Sequence, residues 1–313
     1  GIIKQIRAGG NVADLRGKSV TAVYLAEILG ALYSAPFYGM VTDILVTPRV
    51  LSELIKQTVH SGRHDQLQVS GSSITFGSQE LSITGPYGPV RVTACPFLER
   101  HDRIAPVTGS SSVFEGSVVS PTITNAAVSG QPNQAGSKFG ASDLGVYYYR
   151  VVPVGPAGIG TPVDTAGALD VDAATKNVTI TLGQADSLAT VSYYKIYRSA
   201  KGASNADGAL LIGEIKNAGL STVFVDNNTK IAGTSEILFI NNAPDYMEYF
   251  QMLSLIRRPL AQVKTTHPFL LMMFGAPAVK LPTKMFVVDN AGVNASSGLD
   301  AITDPVLLGL HSS

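Results

Sequence analysis

Cysteine is nearly absent from the sequence, and tryptophan is absent altogether. The single cysteine, Cys95, excludes an intrachain disulfide and a cysteine-rich metal site. Disulfide-stabilised domains are typical of oxidising compartments, so this cysteine usage favours a reducing compartment.

Charged residues are also scarce. Only 15% of positions are charged, with 23 basic and 23 acidic residues, whereas about a quarter of positions is usual in soluble domains. Hydrophobic residues make up 45% of the chain. A chain this apolar either folds compactly or hides part of its surface against partners, and we favour the second explanation.

Long apolar runs are missing, so we expect no membrane contact. The longest run, residues 269–279, contains Gly275 and Pro277, and it is shorter than the roughly 20 residues of a membrane-spanning helix. The sequence begins with Gly1 instead of Met, so we expect a processed product or a fragment.

Basic residues cluster near the N-terminus, where Lys4, Arg7, Arg16 and Lys18 are accompanied by one acidic residue, Asp14. Such a cluster either contacts nucleic acid or forms an ordinary solvated surface. The balanced charge of the whole chain is unlike that of a basic nucleic-acid-binding protein.

The clearest local pattern is a strand followed directly by a capped helix, between Val41 and Val59. An apolar run that ends at Val46 predicts the strand, and the hydroxyl of Thr47 is suited to the N-cap of the helix. Pro48 fits the first helical position, where its missing N–H costs nothing. The apolar residues of this helix recur at helical spacing: Val50, Leu51, Leu54, Ile55 and Val59.

The two sides of this helix have different expected roles. The apolar side is expected to lie under a sheet formed by both flanks of the chain. The charged side, with Arg49, Glu53 and Lys56, is then free to meet a neighbouring subunit.

Helices are predicted at two further places. Ser19 is suited to cap a helix that ends before Ala35-Pro36. Pro244 and Asp245 open another predicted helix, which ends at Arg257-Arg258-Pro259. Its apolar face consists of Tyr246, Tyr249, Phe250, Leu253 and Ile256.

Short alternating or β-branched segments predict strands in the rest of the chain. The predicted strands are 67–69, 74–76, 81–83, 90–94, 145–154, 177–182, 191–199, 209–215, 221–227, 235–241, 259–263, 269–274, 278–281 and 285–288. The evenly spaced strands in the middle are typical of a small β-sandwich. The predicted fold class is therefore α+β: a core from both flanks, residues 1–108 and 236–313, and an inserted all-β domain, residues 109–235.

Few residues are arranged for chemistry. His60, His64 and Asp65 lie close enough in sequence to hold a metal ion, but Gly62 separates the histidines and the glutamate of a zinc-peptidase motif is missing. The glycine-rich segment 155–160 lacks the lysine of a phosphate-binding loop, which favours a loop between strands.

Two other patterns also favour structural roles. Ser192 and Lys195 match a short nucleophile motif, but on a strand their side chains point to opposite faces. The tyrosines at 147–149 and 193–194 either pack in the core or stack on a sugar, and the core role is commoner. We predict no catalytic, cofactor-binding or metal-binding residues, and hence no enzyme.

The middle of the chain resembles fibronectin type III and immunoglobulin-like modules. VYYYRVVPVGPAGIGTPV, residues 146–163, is similar to the tyrosine-rich strand and following loop of that family. YYKIYRS (193–199), LLIGEI (210–215) and FVDN (224–227) are similar to a run of strands common in such modules.

The flanks resemble the major capsid proteins of tailed bacteriophages, which have the Hong Kong ninety-seven-like (Johnson) fold. The resemblance rests on ILVTPRVLSELI (44–55), GPVRVTACPFL (88–98), SEILFIN (235–241), RRPLAQV (257–263) and FLLMMFGAPAVKLPTKMFVVDNAG (269–292). It begins partway into the family pattern, which implies maturation cleavage or a split polypeptide.

This resemblance implies that the chain is a coat subunit whose copies form the hexamers and pentamers of an icosahedral head. It also implies contacts with other capsid, cement or portal proteins, and weak, non-specific contact with the enclosed double-stranded DNA. The expected location is the virion, after assembly in the cytoplasm of the host bacterium. The apolar patch Val306–Leu310 is expected to become ordered against a neighbour.

A second hypothesis follows from the insert alone. Its sandwich and its tyrosines are also typical of a carbohydrate-binding or adhesive surface protein, in which residues 109–235 would contact a glycan or a cell surface.

Overall fold

The computed structural model describes residues 1–60, 68–70, 73–75, 81–85, 88–98, 104–107, 114, 118, 120–128, 136–174, 176–183, 190–259 and 269–293. Three α-helices lie in these residues: α1 (Ile2–Ala8), α2 (Ala22–Tyr33) and α3 (Pro48–His60). None of the helices in this part of the chain has the length and apolar character needed to cross a membrane.

Twenty strands occupy most of the remaining described chain. The first ten are β1 (Val12–Asp14), β2 (Asp43–Val46), β3 (Gln68–Ser70), β4 (Ser73–Thr75), β5 (Leu81–Gly85), β6 (Gly88–Ala94), β7 (Thr122–Val128), β8 (Gly145–Tyr147), β9 (Tyr149–Gly155) and β10 (Gly158–Ile159). The others are β11 (Val163–Asp164), β12 (Leu169–Val171), β13 (Val178–Gly183), β14 (Tyr193–Arg198), β15 (Leu210–Lys216), β16 (Ser221–Asp226), β17 (Ser235–Ile240), β18 (Met247–Pro259), β19 (Phe269–Val279) and β20 (Phe286–Ala291).

Of the residues that the structure describes, 17% are helical and 46% lie in strands, a mixed and mostly β content that is compatible with the predicted α+β class. The chain forms two compact units. Unit 1 consists of Gly1–Leu98 and Ser235–Ser313, and unit 2 consists of Glu99–Thr234. The boundaries 1–108, 109–235 and 236–313, and the immunoglobulin-like character of the middle part, stay predictions.

Unit 1 is built on a six-stranded mixed sheet to which both flanks of the chain contribute. The strand order is β1-β20-β17-β2-β6-β5. The central strand β2 pairs in parallel with β6 and antiparallel with β17, so residues far apart in sequence meet at its two edges.

One face of this sheet is covered by α2 and α3. Val50 and Leu54 of α3 pack in the same apolar cluster as Ile44 of β2 and Phe239 of β17. The prediction that the apolar side of α3 lies under a sheet from both flanks is therefore confirmed. Thr47 caps α3 as predicted, since its hydroxyl accepts a hydrogen bond from the Val50 N–H at 3.5 Å.

Glu53 corrects the prediction that the charged side of α3 is free. Its side chain is buried, with 6% exposure, and Lys56 Nζ lies 3.7 Å from its carboxylate. The reason is helical geometry: Glu53 follows Val50 by three residues, so it lies at the border of the buried side. The prediction that Arg49, Glu53 and Lys56 form a free contact surface is therefore wrong for Glu53.

The start of α2 also differs from the prediction. Thr21, not Ser19, is the N-cap, and its hydroxyl accepts a hydrogen bond from the Tyr24 N–H at 3.2 Å. Ser19 lies in an isolated bridge to Gly292. Threonine and serine are both good N-caps. Ser19 pairs with Gly292 instead, so the helix begins after Thr21.

The opposite face of the sheet is covered by α1. Ile6 packs with Leu238, Ile240 and Val287, whose side chains alternate with those that face α2 and α3. Both faces of the sheet are therefore buried in their central part.

Unit 2 is an all-β unit with two principal sheets around a shared apolar core. One sheet has the order β10-β9-β14-β15, with β11 also paired to β9, and the other has the order β16-β13-β7. Val151 and Ile196 of the first sheet lie in one buried cluster with Ile180 and Leu182 of the second.

The helix predicted from Pro244 to Arg257-Arg258-Pro259 is wrong. This segment forms β18, which pairs antiparallel with β19 in a two-stranded ribbon. The apolar residues at helical spacing were misleading because apolar side chains lie on both faces of the ribbon, and such a sequence fits both periods. Strand β19 is also continuous over 269–279, where two separate strands were predicted.

Candidate assembly interface

Among the described residues of unit 1, the ribbon of β18 and β19 is the longest pairing. The strands contain 13 and 11 residues, and their pairing runs from Met247 opposite Val279 to Pro259 opposite Phe269. At about 3.4 Å per residue, the ribbon extends over roughly 35 Å.

The ribbon exposes apolar side chains along its whole length. Ten large apolar residues are each at least 40% exposed, and Met252 is 91% exposed. These ten are Tyr249, Phe250, Met252, Leu255, Ile256, Phe269, Leu270, Leu271, Met273 and Phe274. An exposed apolar surface of this extent is characteristic of a contact surface for a partner.

Charges are confined to the two ends of the ribbon. Glu248 lies at the base, where Lys280 forms an ion pair with it at 2.6 Å. Arg257 and Arg258 lie near the distal end, and the guanidinium of Arg257 lies 4.4 Å from the centre of the Phe269 ring. The body between these ends carries no charge.

The two strands of the ribbon are not equivalent. The register shifts twice, between Gln251 and Leu253 and between Leu253 and Ile256, and each time the extra residue belongs to β18. These bulges disturb the regular spacing of β18, whereas β19 keeps an unbroken extended course. The ring of Tyr249 crosses Gly275 so closely that a β-carbon at this position has no room.

The base of the ribbon is fastened to α1 by one side chain. Gln5 Nε2 donates a hydrogen bond to the Pro277 carbonyl at 3.0 Å, and the Val279 N–H donates to Gln5 Oε1 at 2.8 Å. The edge of β19 that faces away from β18 is its outer edge. At the base of the ribbon, the Gln5 amide forms hydrogen bonds with this edge, as the main chain of a neighbouring strand would.

An apolar groove of about 770 Å³ continues from the base of the ribbon. Met247 and Pro277 line it on the ribbon side, and Phe97, which is 96% exposed, lies at its rim. The other lining residues are Gly1, Ile2, Ile3, Lys4, Arg7, Leu45, Cys95, Leu98, Leu238 and Ile240. The ribbon and the groove therefore form one continuous apolar region of unit 1.

The basic cluster near the N-terminus is tied into unit 1 by Arg7. Its guanidinium forms ion pairs with Glu236 at 2.9 Å and with Asp289 at 2.5 Å. Burial raises the pKa of the Asp289 carboxyl, although the charge of Arg7 acts in the opposite direction. Arg7 thus has two acidic partners within unit 1, and its side chain stays 40% exposed.

Two buried arginines dominate the polar interior of unit 2. Arg198 donates to Asp226 at 2.7 Å and to Asn228 at 2.8 Å, and the Tyr149 hydroxyl donates to the same Asp226 carboxylate at 2.9 Å. Arg150 donates to Asp164, to Asp207 and to a main-chain carbonyl. These groups have partners inside the fold, and they connect strands that are distant in sequence.

The predicted tyrosine-rich strands are mostly internal. Four of their tyrosines are buried: Tyr147, Tyr149, Tyr194 and Tyr197. Tyr148 and Tyr193 are half-buried. Burial raises the pKa of Tyr149 well above its usual value, and the charge of Asp226 adds to the effect. The buried rings are not available to stack on a sugar.

The remaining sequence candidates do not form a site in the described residues. The side chain of His60, and His64 and Asp65, lie outside those residues, as does the patch Val306–Leu310. The glycine-rich segment 155–160 forms the tight turn between β9 and β10. In the part of the chain that the structure describes, no group of three or more His, Cys, Asp or Glu side chains is placed to hold a metal ion.

The apolar residues of both strands are apparent in the sequence, but the ribbon that they form is not. The sequence predicts strands at 269–274 and 278–281, but it does not show that this uncharged run is exposed or that it pairs with β18. The signal in the sequence is the absence of charge over such a long segment. A long exposed strand normally carries charged residues, so a long uncharged strand indicates a contact surface.

No protein-family model matches the chain. The chain is similar to a protein of Enterococcus phage phiEF24C described as "Putative major capsid protein", with 24% identity over 287 residues. The similarity covers 90% of this chain, so it extends over both units, and 58% of that protein. The chain thus spans less than two thirds of the length of this relative.

Proposed function

We propose that the chain is a structural coat subunit of a bacteriophage head that assembles with copies of itself. The observation that carries this proposal is the exposed, uncharged ribbon of β18 and β19. The similarity to a phage protein described as a capsid protein supports the same role.

The size of the apolar surface is sufficient for a stable contact. Ten large side chains, each about half exposed, present on the order of 800 Å² of apolar surface. A stable protein–protein interface buries about 800 Å² on each partner. The exposed apolar side chains of the ribbon are thus enough to form one contact of this size.

In this proposal unit 1 is the shell-forming core, with the Johnson fold of tailed-phage capsid proteins. Head-to-tail contacts between copies that close into rings produce hexamers and pentamers, and these tile an icosahedral head around double-stranded DNA. Unit 2 is an immunoglobulin-like insertion that projects outward, where other virion proteins or a cell-surface glycan can reach it.

This function requires no catalytic residues. Some charged groups of each unit form ion pairs within the fold, among them Arg7 in unit 1 and Arg198 in unit 2. These ion pairs hold elements of the fold together, as is expected of a structural subunit of a protein shell.

Electron microscopy of the expressed 313-residue chain tests the proposal. We expect rings of capsomer size or closed shells in negative stain at micromolar concentrations. A chain that stays monomeric at every concentration contradicts the proposal. Glycan-array binding by residues 99–234 alone, without any assembly of the full chain, supports the adhesive alternative instead.

A further inference from the structure

The outer edge of β19 is the strand edge of the ribbon that faces away from β18. At its base, the Pro277 carbonyl and the Val279 N–H point to this edge, since both are hydrogen-bonded to Gln5 of α1. Between Phe269 and Gly275, the part of the chain that the structure describes gives this edge no hydrogen-bonding partner.

The direction of Val279 fixes which residues face the outer edge. Main-chain groups of a strand alternate between its two edges with a period of two. Because β19 has no bulge of its own, the alternation continues from Val279 along the strand. The N–H and C=O groups of Phe269, Leu271, Met273 and Gly275 therefore point outward.

Exposed strand edges are usually protected against pairing. Charged side chains, prolines and bulges are the common means. Strand β18 has two of them, since it carries both extra residues of the ribbon and the charges of Arg257 and Arg258. The segment FLLMMFG, residues 269–275 of β19, has no charge, no proline and no bulge.

We infer that the outer edge of β19 pairs antiparallel with the same edge of a second copy of this chain. The two ribbons then form one four-stranded sheet across the contact, related by a two-fold axis. The bulged strand β18 cannot supply a regular ladder over the same length, so β19 of the second copy is the occupant. This inference rests on the proposed self-assembly and specifies how two copies meet.

The extent of FLLMMFG predicts the register. Full overlap of residues 269–275 with the same residues of the second copy places the two-fold axis at Met272. Leu271 then exchanges main-chain hydrogen bonds with Met273 of the second copy, and Phe269 with Gly275. All four residues have outward-pointing groups, so this register is consistent with the alternation along β19.

Met272 faces its own counterpart in this register as a non-hydrogen-bonded pair. The Cα atoms of such a pair are about 4.5 Å apart, which is within the range that a disulfide bridges. Leu270 and Phe274 of the two copies also face each other. Two copies of Leu270, however, lie about 13 Å apart, which is too far for a disulfide.

Engineered cysteines test the pairing in the assembled, full-length chain. In a Cys95→Ser background we would make Met272→Cys, Leu270→Cys, Phe274→Cys and the double variant Leu270→Cys/Phe274→Cys. Leu255→Cys, an exposed position of β18, is the matched control. Assembled particles are isolated by sedimentation, oxidised and run on a non-reducing gel.

The expected result is disulfide-linked dimer from Met272→Cys and from the double variant. The single variants at 270 and 274 and the β18 control are expected to stay unlinked. Particles that form normally but give no more dimer from Met272→Cys than from Leu255→Cys contradict the pairing and leave the proposed function standing. A chain that never self-associates contradicts both.

A second pair of variants distinguishes the contribution of main-chain hydrogen bonds at the strand edge from that of side-chain packing. Leu271→Pro removes an outward N–H without removing a bond to β18, because proline is tolerated on an edge strand. Leu271→Ala shortens the same side chain and keeps the N–H. We expect Leu271→Pro to lose the two-fold contact and Leu271→Ala to keep it. Equal assembly of the two variants contradicts the inference.

Discussion

The main-chain N–H of Val279 donates a hydrogen bond to the side-chain oxygen of Gln5 at 2.8 Å. This contact joins the base of the exposed ribbon to α1, the helix that covers one face of the unit 1 sheet. The position of the ribbon relative to the rest of unit 1 therefore depends on a short helix near the start of the chain.

We predict that Gln5→Ala loosens the base of the ribbon without unfolding unit 1. The substitution removes two hydrogen bonds, each worth about 1 kcal/mol. Hydrogen exchange at the Val279 amide should become faster by a factor of about ten or more. Lys4→Ala, an exposed position of the same helix, is the control and should leave the exchange rate unchanged. Equal exchange in both variants shows that Gln5 does not fasten the ribbon.

Leu54→Asp should strongly destabilise unit 1. Leu54 is 2% exposed and packs in the cluster between α3 and the sheet, so an aspartate there is an unpaired buried charge. The expected loss in the free energy of unfolding is about 3–5 kcal/mol. Ser52→Asp on the exposed side of α3 is the control, and denaturant titration measures both. If the two variants are equally stable, the orientation of α3 is wrong.

Tyr149 should make unit 2 sensitive to high pH. Its folded pKa is raised by burial and by Asp226, so the folded state favours the neutral phenol. The corresponding stability is fully present below the unfolded pKa of about 10 and is lost as the pH rises towards the folded value. The stability of the wild type should fall more steeply above about pH 10 than that of Tyr149→Phe. Parallel pH profiles of the two proteins contradict this assignment.

Unit 2 should be removable. Within unit 1, the Cys95 N–H donates to the Val46 carbonyl at 2.7 Å, and the Thr47 hydroxyl donates to that of Ser235 at 3.2 Å. The end of β6 and the start of β17 thus flank the same end of β2, about 10 Å apart. Replacement of residues 99–234 by a short Gly-Ser linker should give a cooperatively unfolding protein. An unfolded product would show that unit 2 is required for unit 1 to fold.

The sequence was most informative where one side of an element is buried. The strand, cap and helix from residue 41 onward were predicted because the apolar residues of α3 occupy a single side, and Thr47 and Pro48 act locally. Glu53 was mispredicted because a residue at the border of a buried side can lie on either side of it. Only the tertiary packing decides that position.

The ribbon could not be predicted from periodicity. Tyr249, Phe250 and Ile256 fit a helix as well as a strand when both faces are apolar, and the choice is made by pairing with β19, which is distant from the start of β18 in sequence. The candidate interface was missed for the same reason. The sequence places the apolar residues of the first segment, β18, on one face of a helix, whereas in the structure they are exposed along a ribbon.

The most direct measurement for the central claim is a sedimentation-velocity series over protein concentration. It compares the wild type, a ribbon variant with Met252→Glu and Met273→Glu, and a control with Leu220→Glu and Val223→Glu in unit 2, all at exposed apolar positions. We predict that the wild type and the control sediment as capsomer-sized or larger particles, while the ribbon variant stays a folded monomer. Assembly of the ribbon variant at the same concentration as the wild type, or a wild type that is monomeric throughout, would contradict assembly through the ribbon.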